Sequence, residues 1–126
     1  MKGDIVLVNE HHIDAARIIV SRILERINTK PTRFVITVSG ESGSGKSETG
    51  LAISNELEKL GIRSVILGQD DYFYLPPKSN SERRRTDADW LGPHMEVNFE
   101  VFERNLIDAL RGSSKITKPL IDYNAN

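Results

Sequence analysis

The residues from Gly40 to Ser47 read G-E-S-G-S-G-K-S and fit the pattern G-x-x-x-x-G-K-[ST] at every fixed position. Glycines in such a stretch let backbone N–H groups turn inward and hold phosphate oxygens, because no Cβ stands in the way. A helix that follows directs the positive end of its dipole at the same anion. Lys46 would reach the β- and γ-phosphates as a point charge, and the Ser47 hydroxyl is a natural ligand for Mg²⁺. The stretch therefore predicts a loop that binds the phosphates of a nucleotide such as ATP.

The alternative interpretation of this stretch is a plain Gly/Ser-rich turn between a strand and a helix. The flanking residues favour the phosphate loop, because 34–38 is typical of a buried strand and a helix is predicted over 46–60. The residues predicted to bind ATP are those of the loop and the acid that follows it: Gly40, Glu41, Ser42, Gly43, Ser44, Gly45, Lys46, Ser47 and Glu48.

Two acidic residues, Asp70 and Asp71, follow a second apolar segment, 65–67. In a parallel sheet this turn and the phosphate loop would both lie at the carboxyl ends of strands, the edge at which open α/β sheets bind ligands. A carboxylate there could accept the proton of a substrate hydroxyl, hold Mg²⁺ through water, or do both. Two solvated acids in a turn are the alternative. Combined with the phosphate loop, the pattern favours a functional acid.

The strands and helices predicted on either side of these residues indicate an α/β fold with a parallel sheet. Strand 34–38, helix 46–60 and strand 65–67 form a βαβ unit, whose strands are parallel and whose crossover is right-handed. Another strand is predicted over 5–8. A helix is predicted after it, since apolar residues recur at steps of three and four: Ile13, Ala16, Val20, Ile23 and Ile27.

The second half of the chain has less regular patterning. Residues 74–93 contain two adjacent prolines and a run of three arginines, and are predicted to form a long loop. Asn98 is a candidate cap for a last helix, which Gly112 would end. An extended segment, K-P-L-I-D-Y, follows at 118–123.

Composition excludes several classes of protein. The chain has 126 residues, which suits one domain, and carries 17 basic and 18 acidic residues for a formal net charge of −1. This balance argues against a general nucleic-acid binder, which needs a basic excess. The absence of cysteine excludes a disulfide framework, a thiol nucleophile and a cysteine zinc site. No segment reaches the roughly 18 apolar residues of a membrane-spanning helix.

The loop G-E-S-G-S-G-K-S, the segment Q-D-D-Y-F at 69–73 and the segment K-P-L-I-D-Y together resemble the uridine kinase/phosphoribulokinase family of P-loop kinases, over about 33–123. The resemblance implies a three-layer α/β fold and ATP-dependent transfer of a phosphoryl group to a hydroxyl of a small molecule. It also implies that Lys46 and the loop hold the ATP phosphates and Ser47 holds Mg²⁺. Asp70 would be the catalytic base, and is also a candidate magnesium ligand.

The resemblance implies that Tyr72 and Phe73 lie near the acceptor. Arg85 and His94, which follow in the presumed acceptor region, are further candidates for contacting it. An arginine of the run at 83–85 could bind an acceptor that carries its own phosphate, although a solvated loop is the favoured interpretation of the run. The family's N-F-D-H-P segment corresponds to D-W-L-G-P-H at 89–94, in which the acid is displaced. The identity of the acceptor, a nucleoside or a sugar phosphate, is therefore left open.

The resemblance covers only the N-terminal portion of such a kinase, because family members continue with a lid and an adenine-binding segment. We therefore expect a strand–helix extension at 1–32 and part of a kinase core at 33–126. The alternatives are a nucleotide-binding regulator and a catalytically incomplete fragment. His11 and His12 are interpreted as surface residues. The expected setting is the cytoplasm, with ATP, Mg²⁺ and a small hydroxyl-bearing acceptor, no nucleic acid or membrane partner, and a homo-oligomer left open.

Overall fold

The computed structural model of the chain describes residues 1–125 and is mainly helical. Its five α-helices are α1 (Glu10–Thr29), α2 (Lys46–Lys59), α3 (Pro77–Thr86), α4 (Pro93–Glu96) and α5 (Phe99–Leu110). Two short 3-10 turns, Gln69–Tyr72 and Ala88–Trp90, flank α3. Within the described residues, the chain divides into two compact units, one of residues 5–66 and one of residues 1–4 with 67–125.

The prediction of a three-layer α/β fold around a parallel sheet is wrong. Over residues 1–125, strand pairing is limited to two isolated bridges, Lys2 with Asp122 and Phe73 with Val97. The segments 5–8, 34–38 and 65–67 are neither helical nor paired. A strand in a parallel sheet is covered on both faces, whereas Ile5 is 77% exposed and Val65 is 57% exposed. The β-branched composition of these segments is a preference that requires neighbouring strands to take effect.

The unit of residues 5–66 is held together by the packing of α1 against α2. Its buried core consists of Ala16, Val20, Ala52, Ile53 and Leu57. Ala16 and Val20 belong to the apolar face that the sequence predicts for the first helix, which confirms that face. The small residues Ala16 and Ala52 are almost completely buried.

Helix α2 ends as the sequence predicts. Gly61 has a φ of 74°, a left-handed conformation that costs glycine little. Its N–H donates to the Glu58 carbonyl at 2.9 Å, and the Ile62 N–H donates to the Leu57 carbonyl at 3.0 Å. These bonds satisfy carbonyl groups that the end of the helix would otherwise leave without partners.

In the other unit, α5 packs against the turn at 69–72. The Asn98 side chain accepts a hydrogen bond from the Val101 N–H at 3.1 Å, which confirms the predicted cap. Tyr72 is completely buried, and its ring packs edge-to-face against the Phe102 ring with 4.9 Å between the ring centres. Its hydroxyl accepts a hydrogen bond from the Asn105 amide at 3.0 Å. The two buried polar side chains thus satisfy each other.

The predicted loop at 74–93 contains helix α3, which is anchored through a buried carboxylate, Glu96. The Arg84 guanidinium forms two hydrogen bonds to this carboxylate. The Asn80 amide donates to it at 2.8 Å and the Gly92 N–H at 3.0 Å. Asn80 in turn accepts a hydrogen bond from the Trp90 indole at 2.7 Å. These contacts join α3, the following turn and α4 into one network.

The hydrogen bonds from Arg84 are the main cause that lowers the pKa of Glu96 from 4.5 to about 2, against the opposing effect of burial. A carboxyl with a lowered pKa in the folded state contributes stability above its unfolded pKa and loses it as the pH falls through the folded value. We therefore expect Glu96→Gln to lower the free energy of unfolding at pH 7 by about 2 kcal/mol. The difference from the wild type should shrink between pH 4.5 and 2. Urea denaturation across this pH range measures both effects. A difference in unfolding free energy between wild type and Glu96→Gln that stays constant with pH would contradict the lowered pKa of Glu96.

Candidate functional site

The loop from Gly40 to Ser47 turns sharply before it enters α2. Gly43 and Gly45 have φ values of 77° and 81°, in the left-handed region that other residues adopt at a cost of about 1–2 kcal/mol. The Ser44 N–H donates to the Glu41 carbonyl at 3.2 Å. Successive backbone N–H groups in such a conformation form a concave surface suited to an anion.

Two close approaches hold the ends of this loop together. The Lys46 ammonium donates a hydrogen bond to the Glu41 carbonyl at 2.5 Å, so the side chain folds back over the loop. A Cβ at Gly40 would lie 2.7 Å from the Ser44 hydroxyl oxygen, closer than real contacts allow. A side chain at Gly40 would therefore require the Ser44 hydroxyl to move, and Lys46 already places its charge at the loop.

Ser47 and Glu48 lie in the first turn of α2. The Ser47 side chain is exposed, and its hydroxyl is a hard oxygen ligand suited to Mg²⁺. Among residues 1–125, no three His, Cys, Asp or Glu side chains come together as a metal site. Mg²⁺ bound beside a nucleotide usually takes only one or two protein ligands, with phosphate oxygens and water supplying the rest. The donors present therefore fit a magnesium ion bound together with a nucleotide.

His12, which the sequence analysis assigned to the surface, lies beside the loop. Its Nδ1 accepts a hydrogen bond from the Asn9 N–H at 3.1 Å at the start of α1. Its Nε2 lies 3.0 Å from the point at which a Cβ on Gly45 would stand. The sequence signal for such a placement is slight: Asn9 is a good N-cap residue, and a polar residue three positions later can reach back to the cap.

Two loop glycines allow the close approach of His12 to be tested separately from backbone strain. Gly43 and Gly45 both have positive φ, but a Cβ at Gly43 would meet open space. We expect Gly43→Ala to lower the free energy of unfolding by about 1 kcal/mol and Gly45→Ala by about 2 kcal/mol or more, since the latter also displaces the His12 ring. Paired urea denaturation curves measure the difference. If both variants lose the same free energy of unfolding, His12 places no steric constraint on the loop.

The two acids of the 69–72 turn have different surroundings. Asp71 is 4% exposed and forms an ion pair with Lys118. Asp70 is exposed, and its side chain has no ion pair or hydrogen bond in the part of the chain that the structure describes. The contact of Asp71 with Lys118 joins the Q-D-D-Y-F and K-P-L-I-D-Y segments. Asp71 therefore has a structural role, and Asp70 is the acid that solvent or a substrate can reach.

The residues predicted to contact an acceptor are spread over different surroundings. Tyr72 is enclosed within its unit, and Phe73 is half-buried and pairs with Val97. Arg85 and His94 are exposed. All four lie in the unit that contains Asp70, whereas the loop at 40–47 lies in the unit of residues 5–66. Their roles stay predictions.

Two of the three arginines at 83–85 have structural partners. Arg83 forms an ion pair with Asp87 at 3.2 Å, and its guanidinium lies 4.4 Å from the centre of the Trp90 ring. Arg84 binds Glu96, as described above. Arg85 has no such partner within residues 1–125, so it is the arginine that remains available to an anion.

Comparisons with protein-family models, curated proteins and solved structures give no match. Within residues 1–125, no helix combines the length and apolar character needed to cross a membrane.

Proposed function

We propose that this chain binds ATP with Mg²⁺ through the loop at 40–47 and transfers the γ-phosphoryl group to a hydroxyl of a small molecule. The activity would resemble that of uridine kinases and phosphoribulokinases. The single observation that carries the proposal is the arrangement of the loop, in which left-handed glycines lead into the N-terminus of α2 beneath the Lys46 ammonium.

In this mechanism, the chain mainly positions reactants and stabilises charge, which is the usual contribution of a protein to phosphoryl transfer. The loop N–H groups and Lys46 hold the phosphate oxygens, on which negative charge accumulates. Ser47 would hold Mg²⁺, which supplies further neutralisation of that charge when it is bound. Asp70 orients the acceptor hydroxyl and accepts its proton.

Lys46 must exchange its partner for this mechanism to operate. Its ammonium donates to the Glu41 carbonyl, which is an uncharged acceptor. A phosphate oxygen carries negative charge, so its hydrogen bond with the ammonium gains the attraction between opposite charges that a carbonyl acceptor lacks. The position of Lys46 over the loop thus supports the transfer of its hydrogen bond to a nucleotide.

The test is a screen of nucleosides and sugar phosphates as acceptors, with ADP release and the phosphorylated product as joint readouts. The proposal predicts ADP release that depends on one class of acceptor and on Mg²⁺. ADP release without any acceptor would instead support a nucleotide-hydrolysing regulator. If calorimetry detects no binding of ATP in the presence of Mg²⁺, the proposal fails.

A further inference from the structure

We infer that His12 is a further phosphate-binding residue, whose Nε2–H donates a hydrogen bond to an oxygen of the phosphate chain held at 40–47. This inference rests on the proposed function and extends the site to helix α1. It assigns a role to a residue outside the motif, in the segment that the sequence analysis treated as an extension.

The hydrogen bond at Nδ1 determines which ring nitrogen of His12 carries the proton. Nδ1 accepts from the Asn9 N–H at 3.1 Å, so this nitrogen uses its lone pair and carries no proton. In a neutral imidazole the proton is then on Nε2, which becomes a donor. The start of α1 therefore holds the ring in the tautomer that can bind an anion.

The position of Nε2 directs this donor to the phosphate loop. A Cβ on Gly45 would lie 3.0 Å from Nε2 and 4.0 Å from a carboxylate oxygen of Glu48. Gly45 is the last loop residue before α2 and has the left-handed conformation of an anion-binding turn. The donor is thus placed next to the main-chain groups that the proposed function assigns to phosphate.

Nε2 of His12 has no hydrogen-bond partner within residues 1–125 and is open to solvent, since Asp71 Oδ1 is the one buried side-chain atom there that lacks such a partner. An accessible donor can exchange its hydrogen bond with water for one with a ligand. A phosphate oxygen would satisfy it, and a charged acceptor would form the stronger kind of hydrogen bond. The chemistry recognised is that of a polyphosphate, whether nucleotide or inorganic, and involves no contact with a base.

The test compares His12→Gln with the neighbouring control His11→Gln. Glutamine at this position of a helix can still accept the hydrogen bond from the Asn9 N–H, so it preserves the start of α1 while removing the ring Nε2–H. Calorimetric titrations use three ligands: ATP with Mg²⁺, inorganic tripolyphosphate with Mg²⁺, and adenosine. We expect His12→Gln to raise Kd about tenfold for both polyphosphates, and His11→Gln to change it less than twofold.

The outcomes separate this inference from the proposed function. If the wild type binds neither polyphosphate, both fail. If the wild type binds and His12→Gln binds equally well, the inference is overturned and the proposed function stands. An effect on ATP with none on tripolyphosphate would also overturn it, because the contact would then not be to phosphate.

A measurement on the wild-type protein removes any dependence on how the variant folds. Nitrogen-15 NMR spectra of the histidine side chains identify the protonated ring nitrogen directly. We expect His12 to carry its proton on Nε2 and the Nε2 resonance to shift on addition of tripolyphosphate, with a smaller change at His11. A proton on Nδ1, or a His12 signal that is unaffected at saturation, would overturn the inference.

Discussion

Replacing Lys46 with alanine is expected to reduce phosphoryl transfer on the order of 10³-fold and to weaken the binding of ATP with Mg²⁺. The ammonium lies over the loop, where it is bonded to the Glu41 carbonyl. It is the only cation of the G-x-x-x-x-G-K-[ST] motif, so its loss leaves phosphate charge balanced by N–H groups and the metal alone. Losing one preorganised electrostatic contact commonly costs factors of 10²–10³ in rate.

The same substitution should have little effect on folding. The Glu41 carbonyl that Lys46 contacts is on an exposed residue and can be hydrated instead. Alanine is the best helix former at the first position of α2. We expect the free energy of unfolding to change by less than about 0.5 kcal/mol.

Lys59→Ala provides the matched control for this experiment. Lys59 is the last residue of the same helix and pairs with Glu56 on the surface. Lys59→Ala changes the net charge by the same amount as Lys46→Ala, but Lys59 lies at the opposite end of α2. Coupled-enzyme assays of ADP release and calorimetry on both variants measure the effects. An active Lys46→Ala protein would rule out the proposed function.

Replacing Asp70 with asparagine is expected to reduce phosphoryl transfer by about 10²–10⁴-fold, the usual contribution of a general base. The amide retains the shape of the carboxylate but cannot take the proton of the acceptor hydroxyl. The binding of ATP with Mg²⁺ should remain within about threefold of the wild type, since the phosphate contacts assigned to the loop at 40–47 are unchanged. Single-turnover assays with the acceptor, beside calorimetry with ATP, separate these effects.

Asp71→Asn is the matched control for Asp70→Asn. It makes the same chemical change one residue along, at a buried carboxylate that pairs with Lys118. We expect Asp71→Asn to lower the free energy of unfolding by about 2 kcal/mol, and Asp70→Asn to leave it almost unchanged. A collapse of nucleotide affinity in Asp70→Asn would instead make Asp70 mainly a metal-site residue.

The helices that the sequence predicts correctly are specified by local features. In α1, apolar residues recur with helical spacing, and α2 and α5 have recognisable ends at Gly61 and Asn98. Helix α3 was missed because K-S-N-S-E-R-R-R contains no apolar residue and therefore no periodicity. Its stability comes from Arg84 and Asn80, which bind a carboxylate 12 and 16 residues away.

The sheet prediction failed for a related reason. A strand obtains its hydrogen bonds from other segments, so a β-branched composition indicates a preference but supplies no partner. The exposure of Ile5 and Leu7, at 77% and 66%, shows that side chains expected to be buried face solvent. The glycine turn at 40–47 could be predicted because its residues are contiguous, and its binding of phosphate stays a prediction. The placement of His12 could not, because it brings together positions 33 residues apart in sequence.

The chain has a single tryptophan, Trp90, which is bonded to Asn80 and covered by Arg83. Indole fluorescence therefore observes one unit only, whereas far-ultraviolet circular dichroism observes the helices of both units, including the 20 residues of α1 and the 14 residues of α2. A ligand that binds at 40–47 should raise the melting temperature seen by dichroism, and the fluorescence of Trp90 then shows whether the unit that contains it is stabilised as well.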